Sequence, residues 1–238
     1  MIDEGRRAEL VTALGAVRSR IATACEQAGR DPRTVTLVAV TKTRPASDVA
    51  ALVRLGVPDI GESKDQEARA KIAELDEAGE SLDVRWHVVG RLQTNKARHV
   101  SDYAHAVHSV DRVKLATALA DAATGRPAPL EVFAQVSLDD DPSRGGVPEA
   151  GLAELAAAIA ERPELLLRGV MAVPPLGSDP DAGFARLQSI SARLRERYPD
   201  ADAISAGMSE DLEAAVRHGS TYVRVGSALL GRRKTTFS

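Results

Sequence analysis

One lysine of the sequence follows an apolar segment at the point where the chain turns. Lys42 stands in "AVTKTRP", directly after apolar residues 37–40 and three residues before Pro45. The chain has six lysines against 25 arginines, so arginine serves at most positions where a positive charge is enough. An amine can form a Schiff base when desolvation lowers its pKa, whereas a guanidinium cannot. The position predicts either such an amine or a lysine that extends from a strand end to solvent.

A second candidate site lies near the end of the chain. The segment "RVGSALLG" places Gly226 and Ser227 before a short apolar helical turn. Backbone N–H groups at such a turn can bind phosphate. The earlier segment "SAGMSED" has Gly207, which permits close backbone approach, and Ser209, which can donate a hydroxyl or cap the next helix. The two segments predict either a phosphate site or ordinary helix capping.

Arg224 is the third candidate, two residues before Gly226. It shares one face of a predicted strand with Tyr222. An arginine inside a fold is costly unless it is paired. Arg224 is therefore either a salt-bridged core residue or the partner of a ring nitrogen on a ligand.

Strands and helices alternate along the chain. Apolar residues at three- and four-residue spacing predict a first helix over 6–28. Ser47 and Asp111 are predicted N-caps of later helices. Helices separate nearly all of the eight predicted strands, at 34–40, 57–61, 84–90, 104–110, 130–138, 165–173, 202–207 and 221–226.

Strict alternation of this kind indicates parallel strands joined by crossover helices. The number of strands and the length of 238 residues favour a closed (β/α)₈ TIM-type barrel with an extra N-terminal helix over an open doubly wound sheet. No break in composition marks a boundary, so we expect one domain over residues 1–238.

A barrel carries its sites at the C-terminal ends of its strands. Lys42 follows the first predicted strand, Ser209 follows the seventh, and Arg224 and Gly226 end the eighth. A lysine, a phosphate-binding turn and an arginine at one barrel mouth suggest pyridoxal phosphate. His87 lies inside the third strand, where it is either a core histidine or a residue of the site.

The composition limits which binding partners and which cellular compartment we expect for this protein. A formal net charge of −3 gives no reason to expect nucleic acid or an anionic membrane surface as partner. A single cysteine, Cys25, cannot form an internal disulfide, which favours a reducing compartment. The N-terminus is charged from its third residue, unlike a secretory signal, and no segment approaches the ~20 apolar residues of a membrane span. We expect a soluble cytoplasmic protein.

Several segments, in order along the chain, resemble the pyridoxal-phosphate homeostasis proteins, single-domain relatives of the alanine racemase barrel. The matching segments are "LVAVTKTRP", "GESKDQE", "WHVVGRLQTNK", "HSVDR", "RGVMAVPP" and "SAGMSEDLEAAVRHGSTYVRVGSALLG", which lie within residues 37–231. The resemblance implies the barrel with its added helix. It also implies that pyridoxal 5'-phosphate is the cofactor and that Lys42 carries it as an internal aldimine.

The resemblance further implies the residues around the cofactor. The phosphate contacts would come from Ser209 and the turn at Gly226 and Ser227, with Ser205 and Met208 beside them.

Arg224 would face the pyridine nitrogen. Because arginine stays protonated, the ring nitrogen cannot also be protonated without like-charge repulsion, and the ring is then a weak electron sink. Ser63 and His87 complete the expected contacts. The family usually has Asn at the position of Ser63, and serine is shorter with a single donor.

The resemblance leads to a carrier without catalytic residues. The related racemases use a second, β-rich domain that supplies a tyrosine opposite the lysine, and two-base racemisation needs a proton donor on each face of its substrate. Nothing in the sequence marks Tyr103, Tyr198 or Tyr222 as such an acid. We therefore expect a monomeric protein that binds pyridoxal phosphate, regulates its level and delivers it to cofactor-dependent apo-enzymes.

Two alternatives stay open at this point. The first is a racemase-like amino-acid enzyme that uses the same cofactor. The second is a Schiff-base aldolase-like barrel that binds phosphorylated sugars. We expect no metal site, since His105 and His108, three apart in a predicted strand, would face opposite sides. The basic ending "GRRKTTFS" is predicted to be disordered.

Overall fold

The computed structural model describes residues 2–139, 141, 144–175 and 177–231, so the basic ending "GRRKTTFS" lies almost wholly outside it. Eight parallel strands pair in chain order and close into a barrel. This confirms the predicted (β/α)₈ architecture. The strands are β1 (Thr36–Val40), β2 (Asp59–Glu62), β3 (Arg85–Val88), β4 (Ala104–Val110), β5 (Leu130–Gln135), β6 (Leu165–Met171), β7 (Ala203–Ser205) and β8 (Tyr222–Val225).

Helices surround the strands of the barrel. They are α1 (Glu4–Gln27), α2 (Ala46–Arg54), α3 (Asp65–Glu77), α4 (Ala97–Tyr103), α5 (Val113–Ala123), α6 (Leu152–Ala160), α7 (Pro180–Arg197), α8 (Leu212–Arg217) and α9 (Ser227–Leu230). Across the described part of the chain, no helix is both long and apolar enough to cross a bilayer.

The extra N-terminal helix α1 is present and buries the stripe that its spacing predicts. Leu10, Leu14, Val17, Ile21 and Cys25 are all buried on one side of it. The helix packs against α8 and α9, and so braces the last part of the barrel. Burial raises the pKa of the Cys25 thiol, as expected of a core residue.

The predicted N-caps of two helices are wrong. Ser47 lies in the first turn of α2, which begins directly after Pro45 in extended conformation. Asp111 stands one residue before the N-cap of α5, which is Arg112. Neither capping residue makes a side-chain bond to its helix. Both helices therefore begin without a side-chain cap, and the preference of serine and aspartate for the N-cap position is not realised at either start.

The barrel interior combines a small apolar cluster with buried polar side chains. Ala106, Phe133, Met171 and Ala203 form the apolar cluster. Alongside it lie the buried polar residues His87, His108, Ser205 and Arg224. A polar interior of this kind is stable only if its groups find partners inside the barrel.

His105 and His108 do not face opposite sides, contrary to the alternation expected of a regular strand. Their ring centroids lie 5.6 Å and 5.1 Å from that of His87. Along β4, Ala104 and Ala106 pair with consecutive residues of β3, so His105 is the extra residue of a bulge. A bulge interrupts the two-residue alternation, which explains why both rings turn toward His87.

Close packing between β6 and β7 depends on a glycine. Gly169 has φ +148°, and a side-chain carbon placed there would lie 1.8 Å from the carbonyl oxygen of Ala203. That contact is impossible without moving one strand away from the other. Gly169 therefore fixes the spacing of β7, which carries Ser205.

We expect Gly169→Ala to lower the free energy of unfolding by about 2–3 kcal/mol, because the added methyl group meets backbone atoms. Urea unfolding measures the change. The control is Gly15→Ala in α1, where a side-chain carbon would meet nothing within 4 Å. This control should raise stability by about 0.5–1 kcal/mol through helix propensity. Equal effects of the two substitutions would contradict the assignment of Gly169.

Candidate functional site

The C-terminal ends of β1 and β8 lie side by side and bring two of the predicted segments together. Val38 pairs with Arg224, and Ala39 pairs with Val225. Beyond them, a side-chain carbon on Gly226 would lie 3.4 Å from the carbonyl oxygen of Val40. The turn that begins at Gly226 therefore lies at the same end of the barrel as the segment that carries Lys42.

The amine of Lys42 is exposed at this mouth. It makes no hydrogen bond or ion pair with any residue that the structure describes. A Schiff base forms more readily on a desolvated amine, and burial by the chain itself does not provide that desolvation for Lys42. What the structure provides instead is an exposed amine for which no described residue competes.

The backbone around Lys42 is held on both sides. The Thr41 hydroxyl donates to Glu62 Oε1 at 2.5 Å. The Thr43 N–H donates to Glu67 Oε1. Thr43 has φ +65°, a left-handed conformation that is unfavourable for a β-branched residue. The strained turn orients Lys42, and the two carboxylates keep it in place.

Lys71 of α3 is bonded to Thr41 and to both of these carboxylates. Its buried ammonium donates to the carbonyl oxygen of Thr41 at 2.8 Å, to Glu62 at 2.5 Å and to Glu67 at 2.9 Å. Burial raises the pKa of Glu62, and the bonds from Lys71 and Thr41 oppose that effect. Sequence reasoning missed Lys71. The signal that could have found it is the scarcity of lysine, which applies to Lys71 as well as to Lys42. A lysine suits this position because its compact ammonium has three donors for three oxygens.

The loop after β7 and the turn after β8 are joined by a hydrogen bond. Ser209 Oγ accepts a hydrogen bond of 3.2 Å from the N–H of Ala228 in α9. Met208 is exposed, and its N–H donates to Asp211 Oδ1 at 2.5 Å. The structure thus brings Ser209 next to the turn at Gly226 and Ser227. This is the proximity that a shared phosphate site requires.

Arg224 is buried, only 5% exposed, and it bonds to neutral oxygens. Nη1 donates to Ser205 O at 2.7 Å and to Ser205 Oγ at 2.6 Å, and Nη2 donates to Ala172 O at 3.2 Å. Burial lowers its pKa to about 10, with a small opposing effect from Asp211. Within the described residues no carboxylate pairs with it directly, so Arg224 is not a salt-bridged core residue.

A chain of hydrogen bonds runs from Arg224 through the barrel interior. Ser205 Oγ lies 2.7 Å from His108 Nδ1. His108 Nε2 lies 2.8 Å from His87 Nδ1, and His87 Nε2 lies 2.9 Å from Asp59 Oδ1. We call these five residues the axial chain: Arg224, Ser205, His108, His87 and Asp59.

The axial chain ends at the opposite end of the barrel. Asp59 is the first residue of β2 and accepts two bonds from Arg85, at 2.8 Å and 2.5 Å. Burial raises the pKa of Asp59, but the bonds from His87 and Arg85 outweigh it and bring the pKa to about 2. Burial, with the nearby charge of Arg224, holds the pKa of His108 well below its usual value. The described residues hold no group of three or more His, Cys, Asp or Glu side chains arranged for a metal ion.

The two other predicted site residues occupy different places. Ser63 is half-buried directly after β2, at the mouth, where a side chain on Gly90 would clash with its carbonyl oxygen at 2.2 Å. His87 is 1% exposed and lies below the mouth, with both ring nitrogens already bonded. Neither nitrogen of His87 is free for a bound molecule, so its link to the mouth runs through His108 and Ser205.

Comparison with known proteins agrees with this fold. Residues 13–234 match the family model described as alanine racemase, N-terminal domain. The pyridoxal phosphate homeostasis protein of Mycobacterium tuberculosis is 49% identical over 96% of this chain and 95% of its own length. Barrels of the alanine racemase N-terminal type are thus the class to which the fold corresponds.

Two solved structures are also similar. PipY of Synechococcus elongatus, solved with PLP bound, is 32% identical, covers 93% of this chain and all of its own, and superposes with a TM-score of 0.82. An unknown protein from Bifidobacterium adolescentis is 30% identical, covers 96% of this chain and 97% of its own, and gives a TM-score of 0.86. The chain belongs to the pyridoxal phosphate homeostasis protein family.

We expect Lys71→Met to lower the free energy of unfolding by about 3 kcal/mol, because it leaves the buried carboxylate of Glu62 without its cation. Chemical denaturation measures the loss. Lys114→Met, at an exposed position of α5, is the matched control and should change stability by less than about 0.5 kcal/mol. A similar small change in both variants would show that Lys71 does not stabilise the turn.

The low pKa of Asp59 predicts how the free energy of unfolding changes at acid pH. Its pKa is lower in the folded protein than in the unfolded chain, so its stabilising effect is complete above about pH 4 and is lost toward about pH 2. We expect Asp59→Asn to lower stability by about 2 kcal/mol near neutral pH, a deficit that shrinks as the pH falls. Denaturation at a series of pH values checks this.

Asp102→Asn, at an exposed site, is the control and should show no such trend. A deficit for Asp59→Asn that stayed constant from neutral pH to about pH 2 would contradict the assignment.

Proposed function

We propose that this protein binds pyridoxal 5'-phosphate through a reversible Schiff base on Lys42 and acts in the homeostasis of that cofactor inside the cell. The names of the similar proteins support this, as does the PLP bound to PipY. We further propose that residues 1–238 form one cofactor-binding domain, and that the protein is monomeric and cytoplasmic and delivers the cofactor to apo-enzymes.

The observation that carries the proposal is the buried guanidinium of Arg224 on β8, which pairs with β1, the strand that Lys42 follows. It has neutral oxygens as partners and no direct carboxylate among the described residues. A pyridine nitrogen with a free lone pair is a neutral acceptor that fits such a cation. The permanent charge of arginine disfavours a proton on that nitrogen.

Lys42 supplies the covalent step. Its amine attacks the aldehyde carbon, and loss of one water leaves a carbon–nitrogen double bond. The reverse reaction with water releases the aldehyde and regenerates the amine. An exposed amine that is bonded to none of the described residues is suited to such reversible attachment. The turn held by Thr41 and Thr43 keeps it at the mouth.

The phosphate would bind to Ser209 and to the turn at Gly226 and Ser227. The bond between Ser209 and Ala228 supports this placement, because it draws the two loops to one point. Ser205 and Met208 lie on the same segment, on either side of Gly207. Ser63, at the end of β2, is proposed as a further contact from the other side of Lys42.

We propose that the protein is not itself an enzyme. Tyr222 lies at the N-terminal end of β8, away from the mouth, and its pKa is raised by burial. The Tyr103 hydroxyl is buried beside Asp65, and Tyr198 follows the end of α7. None of the three is therefore placed to act as an acid opposite Lys42. The match to the alanine racemase family model favours a racemase-like enzyme as the second candidate.

Borohydride reduction tests the ligand and the lysine together. After incubation with pyridoxal phosphate, the protein should absorb in the visible range, and reduction should fix one cofactor to the peptide that contains Lys42. Lys42→Ala should lose both signals. Lys64→Ala is the matched control, an exposed lysine after β2 at the same end of the barrel, and should keep them.

A colourless protein with no adduct on the Lys42 peptide would contradict the proposal. A Schiff-base sugar aldolase would instead give a borohydride adduct with a phosphorylated sugar. Racemisation of alanine that disappears in Lys42→Ala would favour the enzyme over the carrier.

A further inference from the structure

The axial chain has a direction that its chemistry fixes. Asp59 is ionised, since two bonds from Arg85 and one from His87 lower its pKa to about 2. A carboxylate only accepts hydrogen bonds, so His87 Nε2 must be the donor. If the His87 ring is neutral, its Nδ1 then accepts, and the donor in that bond is His108 Nε2.

The donors and acceptors between His108 and the barrel mouth are fixed in the same way. His108 is fully buried near Arg224, and both its burial and that neighbouring charge keep it neutral. Its Nδ1 therefore accepts from the Ser205 hydroxyl. Ser205 Oγ in turn accepts from Arg224 Nη1, which can only donate. Every bond then points the same way, from the cation at the mouth to the anion at the far end.

The opposite arrangement is unfavourable. If His87 were protonated, its Nδ1 would donate to His108, and His108 would donate to Ser205 Oγ. That oxygen would then face two donors, from His108 and Arg224, and its own proton would need another acceptor. A second positive charge would also lie in the interior that already holds Arg224, at a high desolvation cost.

We propose that Asp59 is the remote counter-charge of Arg224, and that His87, His108 and Ser205 are positioning residues that hold Arg224 through hydrogen bonds all directed toward Asp59. The chain would fix the guanidinium so that its remaining N–H groups face the mouth. The direction of the chain is a property of these residues alone, whereas its role in holding a ring nitrogen rests on the proposed function. A charge at one end of the barrel thereby affects binding at the other.

Nitrogen NMR of the histidine rings tests the direction without any cofactor. In the unmodified protein, His87 and His108 should both be neutral with the proton on Nε2. The exposed or half-buried rings of His99 and His218, outside the chain, serve as references. A charged ring, or a proton on Nδ1, at either His87 or His108 would overturn the proposal.

Two matched variants test transmission along the chain. Asp59→Asn removes the terminal charge, and the His108 signals should shift although His108 does not touch residue 59. Glu131→Gln removes a carboxylate at the same end of the barrel, which pairs with Arg168 and His105 and bonds to no member of the chain, and it should leave His108 unchanged. Unchanged His108 signals in Asp59→Asn would overturn the proposal. If that variant does not fold, the spectrum of the unmodified protein still decides.

Titration with pyridoxal phosphate tests the role at the mouth. We expect Asp59→Asn to weaken binding about tenfold relative to Glu131→Gln, which corrects for the loss of one negative charge. Equal dissociation constants for the two variants would overturn that role. Failure of the unmodified protein to bind any pyridoxal phosphate would instead contradict the proposed function, and the histidine spectra would still decide the direction of the chain.

Discussion

The burial of one guanidinium governs the arrangement of the barrel. Arg224 takes a full positive charge into the interior, where desolvation of an unpaired ion costs several kcal/mol. Hydrogen bonds from Arg224 to carbonyl oxygens of β7 and of the segment after β6, and to the Ser205 hydroxyl, offset part of that desolvation. Hydrogen bonds through His108 and His87 connect this set to the carboxylate of Asp59, at the far end of the barrel. Polar side chains are otherwise unfavourable in a packed core, but here they provide hydrogen-bond partners for the buried Arg224.

The mouth is organised around Lys42 by a different principle. Its amine has no hydrogen-bond or ion-pair partner in the described part of the chain, whereas the residues on both sides of it are bonded to two carboxylates that both pair with Lys71. The rigid part of this site is the backbone, and the reactive part is left free. A fixed turn limits the conformations that the lysine must lose when it binds, and this lowers the entropic cost of attachment.

Much of this arrangement could be predicted from the sequence. Alternating patterns gave the eight strands and their order, and the strand-end rule placed Lys42, Ser209, Gly226 and Arg224 at one mouth. Each of these features is local, because it can be recognised from the residue type that stands at the end of one periodic segment.

The features that escaped prediction are those that depend on pairing between distant segments. The bulge at His105 reverses the expected side of a histidine, and no local pattern encodes it. Lys71 lies in a helix with ordinary helical spacing, and its role depends on carboxylates from β2 and from its own first turn. His87 was foreseen as a barrel residue. That it links Asp59 to His108 follows only from the register of β2, β3 and β4.

The axial chain also bears on how the barrel closes during folding. Its members come from β2, β3, β4, β7 and β8, so they meet only after nearly the whole chain has been arranged. A slip of one residue in any of these strands would turn a polar side chain outward and leave its neighbour buried without a partner. Apolar residues tolerate such slips far better, since one aliphatic contact can replace another. The hydrogen bonds through the interior therefore favour a single register for the closed barrel, independently of anything that binds at its mouth.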